Sequence, residues 1–228
     1  MATATVNISG GEISKPTKPD KLIYTEPDFG KYMGIEGISQ ATKVLVDHEA
    51  VVSGNDGPIR NVTLMGIHTK QFGQIAWMKD GLLDQHWYHS LNTLAQDSGA
   101  VLVSSNLQSV YGYRLGDTIR YSSGGSGSIQ GIICGFVDYW PGYASVSRSQ
   151  GADGLYTQTE HFLVIAHLSQ LQNTWGITPY QVWLKTDGSS DFFYAYAADH
   201  HLRTESVRDV HRELAALKSD PVLQSTNG

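Results

Sequence analysis

Between Leu115 and Tyr143 the chain reads Leu-Gly-Asp-Thr-Ile-Arg-Tyr, then a glycine/serine run, then Gly-Ile-Ile-Cys-Gly-Phe-Val-Asp-Tyr-Trp-Pro-Gly-Tyr. This stretch predicts two strands, Thr118–Tyr121 and Ser128–Val137, joined through Gly124-Gly125-Ser126-Gly127, whose permissive backbone suits a hairpin. A hairpin commits both strands to antiparallel pairing, and the second ends in the aromatic set Tyr139, Trp140 and Tyr143 around Pro141 and Gly142. Gly124–Ser128 nearly spells the serine-hydrolase elbow. It lacks the second glycine and lies between two strands, where a strand-to-helix turn is needed.

Around this hairpin the pattern is mixed. Met1–Lys21 carries little apolar periodicity and is expected to be a flexible lead-in, with one domain, or two small subdomains, over Leu22–Gly228. Asp28–Ile35 predicts a short helix, with Pro27 in its first turn. Thr42–Val52 and Asn61–Ile67 predict strands around the turn Gly54–Pro58. Thr69 caps a helix bearing Phe72, Ile75 and Ala76. Gln85–Gln96 places Trp87, Leu91, Leu94 and Ala95 on one helical stripe, stopped by Gly99. Ala100–Ser104 is a compact strand. Gly142–Thr159 shows no periodicity and is expected to be a long polar loop, a length that is mobile or functional in a compact domain. His161–His167 and Tyr180–Lys185 predict strands, Leu168–Trp175 and Ser190–Asp199 helices, and Leu202–Thr204 a brief strand. Val207, Val210, Leu214 and Leu217 predict a last helix, capped by Ser206 and ended by Pro221. Without regular βαβα alternation, the expected class is α+β: mixed or antiparallel sheets with helices packed on one face.

The chemistry is sparse. At 228 residues, 40% hydrophobic and 17% charged, the chain can bury a core. Its net charge of −6, without a basic block, speaks against nucleic acid as a partner. No apolar run approaches the roughly 20 residues that span a bilayer, and no charged-then-apolar leader opens the chain. The single cysteine, Cys134, sits in an apolar run and reads as a buried thiol. His86 and His89, with Asp80 or Asp84 near them, share a helical face, but zinc-type spacing is missing, as are a Walker A and a GxGxxG loop. Adjacent His200 and His201 point apart. No metal and no cofactor is therefore expected. Asp138 is either a turn acceptor or, with a histidine, the centre of a hydrolase. Tyr139, Trp140 and Tyr143 are the candidate ligand- or partner-binding residues, since Tyr and Trp bring contact area with a polar tip; the alternative, that Trp140 plugs the core's edge, is the commoner role of a large aromatic. Trp77, Trp87, Trp175 and Trp183 are expected in the core.

Several blocks, in order, resemble the extracytoplasmic domain of FtsX/MacB-type ABC transporter permeases. They are Tyr24–Phe29, Thr63–Ile67 leading to Phe72, Leu91–Ala95 before Ala100–Ser104, Leu115-Gly116-Asp117, Phe136–Pro141 and Val182–Thr186. The resemblance spans most of Leu22–Gly228, and Pro221–Gly228 looks like the point where such a domain re-enters the membrane. It implies a MacB-periplasmic-core-like fold without catalysis, at the extracytoplasmic face of the cell membrane. The implied partners are the permease's own transmembrane helices, absent from this sequence, a cytoplasmic ATPase subunit and an extracellular protein or peptide. The alternative is a secreted or surface module that binds a peptide or glycan.

Overall fold

The structure is a computed structural model that describes residues 2–7, 13–14, 23–24, 26, 28–78, 86–124, 126–150, 154–186, 191–201, 207–209 and 215. The chain divides into two compact units. One comprises Met1–Lys43, Gln74–Ala76 and Pro179–Gly228; the other comprises Val44–Gly73 and Trp77–Thr178.

The first unit contains strands β1 (Ala2–Asn7), β2 (Ile13–Ser14) and β3 (Ile23–Tyr24), helix α1 (Gly30–Met33) and the opening residues of β4 (Ile38–Gly54). Its later elements are β12 (Gln181–Thr186), α6 (Asp191–Asp199) and β13 (Val207–Asp209). β1 lies between β12 and β13, antiparallel to both, with Ala4 opposite Leu184 on one side and Asp209 on the other. Ala2–Asn7, assigned by sequence to the lead-in, is therefore a paired strand. Its Thr-Ala-Thr-Val alternation has the β-branched content that favours a pleated ladder. Tyr32, Ile35, Ile38, Ala41, Tyr180, Val182, Leu184, Phe193 and Ala197 form the core. Beside it, Lys43 forms an ion pair with Glu26, and Tyr180 Oη donates to Glu26 Oε1 at 2.7 Å. The Lys43 ammonium lies 5.1 Å from the ring centre of Phe29 and 5.4 Å from that of Tyr180. Val207 belongs to β13, not to the expected helix. Val210, Leu214, Leu217 and the strand expected at 202–204 lie outside the described residues.

In the second unit β4 continues from Val44 and is followed by β5 (Gly57–Ile67), α2 (Thr69–Ile75, whose last two residues are counted with the first unit) and α3 (Tyr88–Ala95). Then come β6 (Ala100–Ser104), α4 (Ser105–Tyr111), β7 (Thr118–Ser122) and β8 (Ile129–Val137). The unit ends with β9 (Val146–Gln150), β10 (Tyr156–Glu160), β11 (Phe162–His167) and α5 (Leu168–Trp175). Strand order is β4-β5-β11-β6-β8-β7, and β7 pairs back onto β4 through Val51 with Ser122 and Val52 with Tyr121, closing a ring. The pairing is mixed: β5 and β11 run parallel, as do β6 and β8, while the others are antiparallel. Alternate residues point into the ring, among them Val62, Leu64, Val101, Val103, Ile119, Tyr121, Ile133 and Val164. Each such aliphatic side chain contributes about 1.5–3 kcal/mol when fully buried. Leu107 of α4 and Leu168 and Leu171 of α5 join this cluster. β6 and β11 are antiparallel, so the helices that follow them cover opposite ends of the ring.

Two local features make the ring possible. At Gly66 an added Cβ would lie 2.6 Å from Leu171 Cδ1 and 3.2 Å from Leu45 Cβ, so glycine lets α5 rest against β5. Between Ala50–Val62 and Val52–Ile59 the register of β4 and β5 slips, and Asn61 absorbs the slip with φ 57°.

Two expectations change in this unit, and one element has no counterpart in the sequence reading. The span 142–159, expected to be an unstructured loop, contains β9 and β10, paired from Val146–Glu160 to Gln150–Tyr156. Both strands are exposed on nearly all residues, so neither face carries the apolar alternation that marks a strand in sequence. Helix α4 follows β6 without a loop and has a single buried side chain, Leu107, too little to show a period. Trp77, expected in the core, is 66% exposed, whereas Trp87 is buried and Trp175 partly so.

Candidate functional site

The aromatic set begins where β8 ends. Trp140-Pro141-Gly142-Tyr143 forms a tight turn in which Tyr143 N donates to Trp140 O at 3.0 Å. Gly142 has φ 79°, the conformation a type II turn requires after proline and one that favours glycine. The turn separates three aromatic residues that the sequence groups together.

Trp140 goes inward. It is 4% exposed, and its ring lies parallel to Phe72 at 5.6 Å, edge-on to Trp87 at 6.0 Å. Its indole N–H reaches Met65 Sδ at 3.3 Å. Met65 follows Leu64 in β5 and points to the opposite face, outside the ring. Trp140 is thus a packing residue with no surface to offer a partner, which corrects its inclusion among the contact residues. Tyr139 goes outward, 53% exposed. Tyr143 is half-buried; its hydroxyl donates to His161 O at 2.6 Å. Burial pushes its phenol pKa up, opposed by hydrogen bonds with Ser104 and Asn106, and the Glu160 charge adds to the rise.

Tyr139 and Tyr143 line a groove of about 600 Å³ together with Asp138, the first residues of α4, Ser145, Val146 and Glu160. A polar network ties its walls together. Asn106 Nδ2 donates to Glu160 Oε1 at 3.1 Å and to His161 O at 2.8 Å, while Ser104 Oγ accepts from Leu163 N at 2.9 Å. Ser147 Oγ and His161 Nε2 are 2.7 Å apart. No described hydrogen bond joins Asp138 to a histidine, the pair that the hydrolase reading requires.

A second groove, of about 830 Å³, lies between the β4–β5 turn and the end of α4. Asp56, Tyr111, Tyr113, Asp117 and Arg120 line it. Burial raises the Tyr113 phenol pKa, helped by the charge of Asp117. Sequence reasoning missed this groove. Its signals, the Asn55-Asp56-Gly57 turn and Tyr111-Gly112-Tyr113, are far apart in the chain and meet only in the fold.

The remaining candidates resolve locally. His86 precedes α3 and accepts from Tyr88 N at 3.3 Å, and His200 Nδ1 lies 2.9 Å from Tyr196 O. Among the described residues no three His, Cys, Asp or Glu side chains are grouped to hold a metal; Asp80 and Asp84 lie outside them. Cys134, expected to be buried, is half-buried, and burial pushes its thiol up to about 11. No helix among the described residues is long and apolar enough to cross a membrane.

No family model and no curated protein matches the chain. Solved structures similar to it include the extracellular domain of the noncanonic ABC-type transporter YknZ from Gram-positive bacteria, at 14% identity and a TM-score of 0.46. That alignment covers 92% of this chain and 100% of the other. The periplasmic region of MacB from Actinobacillus actinomycetemcomitans is similar at 10% identity and a TM-score of 0.47, covering 96% and 93%. A permease domain from Porphyromonas gingivalis gives 12%, 0.41, and coverage of 91% and 85%.

Proposed function

We propose that this chain is the extracytoplasmic domain of a bacterial ABC transporter permease of FtsX/MacB type. It has no catalysis of its own and carries conformational change outward or binds cargo or a partner. The observation that carries this reading is the pairing of β1 between β12 and β13. Strands drawn from residues 2–7, 181–186 and 207–209 are neighbours in one sheet, an arrangement that is compatible with insertion between two flanking membrane segments. The ordered sequence blocks from Tyr24 to Thr186 support the same reading. Mechanistically, nucleotide binding to a cytoplasmic ATPase favours one arrangement of the membrane helices, and a packed domain transmits that difference.

Tyr139 and Tyr143 are the contact residues in this reading, with Asp138 and Glu160 beside them. A second reading, a surface module that binds a peptide or glycan, draws on the exposed Tyr139 ring at the edge of the groove. Labelling the full-length gene product in intact cells tests the transporter reading. Leu115 is 65% exposed and lies outside the groove around Tyr139. A Leu115→Cys variant is expected to react with a membrane-impermeant maleimide before lysis, in the membrane fraction. Reaction only after lysis, or recovery of the labelled protein in the medium, contradicts this reading.

A further inference from the structure

We propose that the β9–β10 hairpin and the groove at its base bind an extended polypeptide segment that carries an arginine or lysine side chain. The inference rests on the reading of Tyr139 and Tyr143 as contact residues, and it does not depend on flanking membrane segments.

Strands β9 and β10 form a two-stranded sheet of their own, and neither pairs with a third described strand. Such a ribbon is marginal alone in water, and its open edges are templates for an added strand. The bond from His161 N to Ser145 O fixes which residues face outward. Bonded pairs recur at every second position, so Val146, Arg148 and Gln150 on β9 and Tyr156, Gln158 and Glu160 on β10 turn their backbone groups away from the ribbon. Tyr156 is 73% exposed, a large surface for the side chains of an added strand.

Charge selects the occupant and the edge. The groove lining contains Asp138 and Glu160 and no Lys, Arg or His. The Asp138 side chain has no hydrogen bond or ion pair with another described residue, the one described ion pair being Lys43–Glu26. Tyr139, next to it, is 53% exposed, and an aromatic ring attracts a cation placed over its face. Ser105, Ser109 and Ser145 add hydroxyl acceptors around the two carboxylates. Arg148 repels a cation along β9, so the segment joins the edge of β10, where Glu160 stands. Backbone pairing supplies the general affinity; the basic side chain in the acidic groove supplies the selection.

The probe is a fluorescent, capped heptapeptide Thr-Val-Thr-Arg-Thr-Val-Thr, titrated by anisotropy and followed by amide hydrogen exchange. Saturable binding is expected, with slowed exchange in Tyr156–Glu160. Replacing its arginine with glutamate, or making the Asp138→Asn or Glu160→Gln variant, is expected to weaken binding about tenfold each, the scale of one charged hydrogen bond. N-methylation of alternate peptide amides is expected to abolish binding.

Equal affinity for the arginine and glutamate peptides overturns the proposal, as does indifference to both carboxylate variants. So does the absence of saturation below about 1 mM, a weak-binding limit, by protein with a native circular dichroism spectrum. Those failures leave the transporter reading to its labelling test. Peptide binding by a protein that fails that test keeps this inference and removes the transporter.

Discussion

Tyr139 and Trp140 are adjacent in the chain and face opposite surroundings. Trp140→Ala removes a ring packed on Phe72, Trp87 and Met65 and is expected to cost about 3–5 kcal/mol of unfolding free energy. Tyr139→Ala is expected to stay within about 0.5 kcal/mol. Chemical denaturation of both variants measures the contrast. The sequence showed an aromatic cluster at the end of a strand. Which ring turns inward depends on the Pro141-Gly142 turn and on Phe72, brought from α2, so the candidate trio was legible as a group but not residue by residue. At Cys134, a thiol raised from 9.0 to about 11 carries about a hundredfold less thiolate at neutral pH. Iodoacetamide is expected to alkylate the folded protein correspondingly slowly, and denaturant to restore the rate of a free cysteine. Fast alkylation in the native state contradicts this.

At Glu26, burial raises the carboxyl pKa, but the hydrogen bonds from Lys43 and Tyr180 and the Lys43 charge outweigh it, holding the value below the ordinary 4.5. A depressed folded-state pKa stabilises the fold above the unfolded value. That stability is lost as pH falls through the lower folded value. Urea midpoints are therefore expected to fall on acidification below 4.5, and Lys43→Met to flatten that part of the profile. A profile unchanged by Lys43→Met contradicts the role given to this pair.

Among the elements, those with a buried face were the legible ones. Ala100–Ser104 and Leu168–Trp175 match their expected bounds, and the β7–β8 hairpin differs by one residue at each strand. The helix expected over 85–96 is Tyr88–Ala95, the part that buries Leu91 and Leu94. Elements lacking a buried stripe escaped: β9 and β10 expose both faces, and α4 buries one leucine. Gly66 shows how tightly the legible elements pack. Gly66→Ala is expected to destabilise by about 1–3 kcal/mol, because the new methyl meets Leu171 on a helix held against the same strand. A parallel Leu171→Ala change, which empties the space the methyl enters, is expected to make the two effects non-additive in a double-mutant cycle. Additive costs contradict the contact.

For the whole molecule, the α+β class followed from the mixture of periods, and the mixed pairing agrees with it. Ring closure did not follow, because it depends on the contact of Val51 and Val52 with Tyr121 and Ser122, about seventy residues apart, which leaves no mark on local periodicity. The place of β1 was hidden for the same reason: its partners, β12 and β13, lie at the other end of the sequence. That pairing carries the transporter reading, and the coding sequence on either side of this segment tests it most directly. The account expects an apolar stretch of about 20 residues on each side, long enough to cross a bilayer, with an ATPase encoded nearby. A secretory signal peptide before the segment and a stop codon directly after Gly228 contradict it, leaving a surface module with the groove at Tyr139 as its binding site.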